Sequence, residues 1–208
     1  MTTMLAFHND PAVKAKYLAR VHRHRKADEL VRGEGWTGFK GSAVGFTLEG
    51  YDHSRYPGEL GIPEVLAHLE DRLFEGMPQA DAMEWPAAFL SAIKVGADLS
   101  GVWPRFAYWL LTEELPDVDP VTRAAIDGVA GLLASQIGGV DPSLEDWREA
   151  SAEAAEAAEA ARAARAAWAA GAAWAAWAAG AAWAAGAASY LRQSVKLLAL
   201  LRAAPVPE

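Results

Sequence analysis

The residues with the most chemistry in them cluster in one stretch, 33–61, where Trp36, Lys40, Gly41, Ser42, Tyr51, His53, Arg55 and Tyr56 stand among eight glycines in 29 residues. Glycines let backbone amides approach an anion closely. Lys40 and Arg55 supply charge to neutralise it, and Trp36, Tyr51 or Tyr56 can stack on a planar ring. Just upstream, Lys14, Lys16, Arg20, Arg23, Arg25 and Lys26, with His22 and His24, make 13–26 basic with no acid in it. Such a run is either a solvated helix face or an anion site, and in the second case Arg25 joins the ligand set. The ligand expected is a small anion such as a nucleotide.

Other patterns lead to less. Gly33, Gly35 and Gly38 satisfy G-x-G-x-x-G, but no strand precedes them, so the dinucleotide-binding context is missing. His22 and His24 are two apart on a predicted helix, about 200° around its axis, and do not meet on one metal. His53 and His68 add histidines without ligand spacing, so neither a metal nor a cofactor is implied. A hydrolase would use His53 as base for Ser42 or Ser54, with Asp52 beside it, although adjacency in sequence does not establish that geometry. Glu64, His68 and Arg72 share a face at i, i+4, i+8 and read as a solvent-facing charge ladder.

These residues need helices to position them. Asp10-Pro11, Asp119-Pro120 and Asp141-Pro142 each read as a helix start, with Asp capping and Pro preset at the first turn. The first helix is predicted over 11–32, burying Val13, Tyr17, Leu18, Val21 and Leu30 and stopping at Gly33. Pro63 opens a second, with Leu66, Leu69 and Leu73 at helical spacing before Gly76. Further helices follow after Pro78, near Gly101, over 120–137 and from Pro142. The only strand-like run, 45–48, is short.

From Glu153 to Ser189 every third residue is the variable one and the two between are alanines, up to Ala188. Alanine has the highest helix propensity, so this tract is helix. Three residues advance a helix by about 300°, so Trp168, Trp174, Trp177 and Trp183 wind around the cylinder. A helix apolar on every side is expected to be covered on every side. The fold expected is therefore all-α: a single domain, 1–208, built as a multi-helix bundle around the long Ala/Trp-rich repeat of 143–202, with 33–61 as a Gly-rich loop between the first two helices. An unbroken final helix would be nearly 90 Å long, against a radius of gyration near 17 Å for a compact chain of this size. It either breaks, at Gly171, Gly180 or Gly186, or projects its glutamate-rich start toward a partner, which predicts a homodimer. A membrane span is disfavoured because the uncharged run 166–191 has no Leu, Ile, Val or Phe before its end.

With 19 Lys+Arg against 27 Asp+Glu, the net charge of −8 argues against general nucleic-acid binding. Cysteine is absent, which removes disulfides and thiolate chemistry, and residues 1–9 do not read as a leader, so a cytoplasmic protein is expected.

The stretch 27–76, with Lys40-Gly41-Ser42-Ala43-Val44-Gly45-Phe46-Thr47-Leu48 and then Glu59-Leu60-Gly61-Ile62-Pro63, resembles a family of small proteins carried by bacteria and their phages. Its motif is G-K-G-x-A-V-G-x-T-L followed by E-L-G-I-P, and members end in an Ala-rich helix. Where members hold Cys this chain has Ser42 and Phe46, and Phe39 stands in place of the first glycine, so a thiol or metal role does not carry over. The resemblance implies a mobile-element setting and, by analogy, counter-defence. Three functions are therefore expected in order: a non-catalytic protein that sequesters an anionic nucleotide signal, an immunity or inhibitor module that grips a protein partner through its helical surface, and a hydrolase using His53.

Overall fold

The computed structural model describes residues 4–27, 29–31, 33–114, 119–169 and 175–208, with side chains described for all of these except 158 and 160–185. The protein is all-α, 72% helical with no strand among the described residues. The helices are α1 (Pro11–Lys26), α2 (Ala43–Leu48), α3 (Arg55–Leu60), α4 (Glu64–Gly76), α5 (Gln79–Ala92), α6 (Val102–Trp109, followed by a π turn over Leu110–Glu114), α7 (Pro120–Ile137), α8 (Leu144–Ala169) and α9 (Ala175–Ala203). Their contacts group into two compact units, 1–103 with 186–208, and 104–185.

Local chemistry accounts for most of the boundaries. Asp10 caps α1 by accepting from Ala12 N at 2.8 Å, and Asp119 caps α7 by accepting from Val121 N and Thr122 N at 3.0 Å. The third Asp-Pro pair does not cap α8. Ser143 and Asp146 do so instead, Ser143 N donating to Asp146 Oδ2 at 2.7 Å and Asp146 N to Ser143 Oγ at 3.1 Å, a reciprocal box that moves the start past Pro142. Helix α1 ends at Lys26, short of the expected Gly33, because the chain turns there to place Leu30 in the core beside Gly41.

The first unit is built around α2, which lies against α1, α4 and α5 with all six residues buried. The sequence 33–61 is thus not one loop. It folds into α2 and α3, and the run 45–48 expected as a strand is helical. A six-residue helix is unstable alone. Ser42 caps it, and burial of Val44, Phe46 and Leu48, each worth about 1.5–3 kcal/mol, overrides the strand preference of its β-branched and aromatic residues. Leu60, Leu66, Leu73, Phe89, Leu197 and Leu201 complete this core.

In the second unit α7 packs along α8, with Ala125, Ala130, Leu133, Ala150 and Ala157 buried. Helix α9 runs through Gly180 and Gly186 without a break, while Gly171 lies outside the described residues. The indoles of Trp168, Trp174, Trp177 and Trp183, on which the expectation of a central pillar turned, belong to side chains outside those described.

Candidate functional site

A cavity of about 500 Å³ in the first unit is bounded by Tyr51, His53, His68, Asp71, Arg72, Glu75, Gly76 and Tyr190. Helix α4 contributes most of it. His68, Asp71, Arg72 and Glu75 fall at i, i+3, i+4 and i+7, the spacing that aligns side chains on one helical face. Tyr51 and His53 come from the turn between α2 and α3. Glu49 ends α2 in the left-handed conformation (φ 50°), and Ser54 N and Oγ donate to Asp52 Oδ1 at 3.1 and 2.6 Å. Those bonds from Ser54 hold the Asp52 carboxyl below its usual range and fix the turn that carries His53. Tyr190 arrives from α9, its ring lying so close to Gly76 that a Cβ there would overlap it.

Asp71 organises the polar side. Its Oδ2 accepts from the Tyr51 hydroxyl at 2.9 Å and lies 3.4 Å from His53 Nε2. The His53 ring stacks on His68 with centroids 4.1 Å apart and planes at 11°, and meets Tyr51 edge-on at 5.0 Å. Burial, and then the neighbouring His68, hold the His53 pKa below its ordinary value, so the ring is neutral at pH 7. Tyr51 keeps half its surface exposed, yet its hydroxyl end sits against buried Asp71. Desolvation and that hydrogen bond push it up to about 12. Behind Asp71, Glu70 is fully buried. Tyr56 donates to its Oε2 at 2.6 Å, the Trp85 indole donates to its carbonyl at 2.9 Å, and burial lifts its carboxyl to about 8. Glu70 Oε1 and Asp71 Oδ1 are buried without a hydrogen-bond partner.

Of the expected ligand residues, Tyr51 and His53 are brought together in this cavity and the others lie elsewhere. Trp36 packs edge-on against Phe46 at 5.5 Å and His24 at 5.8 Å. Lys40 is exposed in a turn closed by Thr37, and Ser42 is the buried cap of α2. Arg55 pairs with Glu59 at 2.6 Å, Tyr56 is buried on Glu70, and Arg25 pairs with Glu84. Gly41 and Gly45 both face the carbonyl of Gly35, at a separation no side chain would permit, so glycine density here serves backbone packing.

The basic run is likewise engaged internally. Lys14 donates to the carbonyls of Ser91 and Ile93 at 3.0 and 2.6 Å, closing the end of α5, and burial lowers its pKa. Arg20 donates to Thr47 O at 2.8 Å, and Arg20, Arg23 and His24 surround Glu49.

Sequence reasoning passed over Asp71, Glu75 and Tyr190 as lining residues, and read His68 and Arg72 as rungs of a ladder. His68 does lie 3.5 Å from Glu64, but its ring also stacks on His53. The signal was present as four polar residues on one face of α4, next to the leucine face. Tyr190 gave none, being one aromatic at the end of an alanine tract.

No protein family, curated protein or solved structure matches this chain. Among the described residues there is no group of three or more His, Asp or Glu that could hold a metal, and no helix long and apolar enough to cross a membrane.

Proposed function

We propose that this chain is a binding protein that captures a small ligand, a nucleoside or nucleotide, in the cavity between α4, the 49–54 turn and Tyr190. One observation carries the reading. The rings of Tyr51, His53, His68 and Tyr190 gather around a ligand-sized cavity whose wall also holds Asp71, its side chain 9% exposed. A concave site of that size, ringed by aromatic side chains with a few polar groups among them, fits a small planar ligand. Tyr51, His68 and Tyr190 offer ring faces for a planar group, and Arg72 offers a cation for a phosphate attached to it.

The test is NMR of the His53 and His68 ring protons during addition of nucleosides and mononucleotides to about millimolar concentration, alongside thermal unfolding. Binding shifts both imidazole signals together and raises the melting temperature. If neither signal moves with any of these probes, the cavity is not the site. A second reading, a hydrolase with His53 as base, is favoured by the Asp71 carboxylate 3.4 Å from its ring. Mass analysis of the same samples separates the two, because capture returns the ligand unchanged.

A further inference from the structure

We infer that residues 5–10 form a strained latch, which joins both ends of the chain to the turn at 96–98 and opens as one piece ahead of the rest of the first unit. The latch stands apart from the cavity, since none of its residues lines it. Phe7, His8 and Asn9 all have left-handed backbones, with φ of 55°, 54° and 57°. In that conformation a side chain crowds the following carbonyl, so residues other than glycine enter it singly and not in series. Three in a row persist only where the surroundings over-determine them.

Here the surroundings do so from several sides. Phe7 is fully buried, with the Lys14 ammonium 5.6 Å from the centre of its ring. Ala6 N donates to Ala97 O and Gly96 N donates back to Ala6 O, each at 2.9 Å. The His8 imidazole donates from Nε2 to Gly58 O in α3 at 3.1 Å. The other end of the chain reaches the same turn, where Asp98 N donates to Pro205 O at 2.8 Å and both Asn9 and Val206 lie against Gly96.

Strain and anchors pull in opposite directions. The turn cannot return to ordinary backbone while Phe7 stays seated and Ala6 is bonded on both sides, so these contacts let go together. Opening stops at α1, because Asp10 caps that helix through Ala12 N at 2.8 Å and needs nothing from the residues before it. An open latch uncovers the apolar seat of Phe7, frees α3 from His8 and leaves 96–98 held to the C-terminal tail alone.

Amide hydrogen exchange, followed by NMR on the full chain, tests both halves of the inference. In the wild type the amides of Ala6 and Gly96 are expected to exchange through one shared opening, at least about 100-fold faster than that of Phe46, which donates to Ser42 O inside the buried α2. His8→Ala and His8→Gly then isolate the strain. Both lose the bond to Gly58, but only glycine escapes the left-handed penalty. Alanine protects better than glycine in ordinary backbone, whereas here the glycine variant is expected to protect Ala6 and Gly96 about five-fold better than the alanine variant. Asn9→Gly against Asn9→Ala repeats the comparison one residue on, and an alanine variant that fails to fold where its glycine counterpart folds shows the same preference. Exchange of Ala6 and Gly96 only in step with Phe46 overturns the separate opening. Alanine equal to or better than glycine at both positions overturns the strain.

Discussion

Replacing Glu70 by Gln tests the electrostatics behind the cavity. Glu70 is fully buried, its carboxyl is lifted to about 8 from an ordinary 4.5, and Tyr56 donates to it. The folded state therefore keeps a proton on Glu70 at neutral pH, while the unfolded chain releases it above about 4.5. Between those two values the unfolded state binds fewer protons, so raising the pH favours unfolding by about 1.4 kcal/mol per unit. Below the lower value both states are protonated and the dependence vanishes. From about pH 5 to pH 7 the contribution of Glu70 amounts to on the order of 3 kcal/mol. For a chain of this size that is roughly 6–12 °C in melting temperature. Glutamine keeps the acceptor for Tyr56 and carries no titrating proton. Calorimetry of both proteins across this range isolates the effect, since His53 and the other titrating groups are common to them. The variant is expected to gain on the wild type as pH rises. Parallel curves would show that Glu70 is ionised in the folded protein and that the account of burial is wrong.

Two further substitutions follow from packing. Gly76→Ala places a methyl group where the Tyr190 ring lies, and is expected to destabilise by about 1–3 kcal/mol in urea unfolding, with a change in Tyr190 ring signals; an unchanged protein would mean that the ring is not held there. Arg25→Ala removes an exposed pair with Glu84, with Arg25 41% and Glu84 56% exposed. It is expected to change stability by less than about 1 kcal/mol and to leave ligand binding unaltered, whereas a loss of binding would return Arg25 to the ligand set.

The helices on either side of the cavity were legible in the sequence, because α4 has Pro63 before it, Gly76 at its end and leucines at helical spacing between. So was the all-α class, through the alanine tract. What was not legible was the meaning of 33–61. Its glycines looked like a cradle for a ligand, and they place Gly35 against Gly41 and Gly45 so that α2 can be buried on every side. Tertiary contact of that kind leaves no local pattern. The charges of 13–26, open in the sequence between a solvated face and an anion site, depend on the fold in the same way: Lys14 and Arg20 donate to helix-end carbonyls. Tyr51 and His53, which line the cavity, were singled out from residue type alone, while Asp71 was passed over because an acid on a helix ordinarily faces water and here the 49–54 turn packs against it.

The joining of Tyr190 to Gly76 also orders events during synthesis. Glycine, histidines and carboxylates of the cavity emerge from the ribosome well before the ring that closes it, and Leu197 and Leu201, buried in the same unit, emerge later still. A nascent chain halted within the alanine tract thus carries an open, half-walled pocket over an unfilled core. The wall of the cavity and the filling of the core are both completed only by the last helical turns, and a partially made copy lacks part of each.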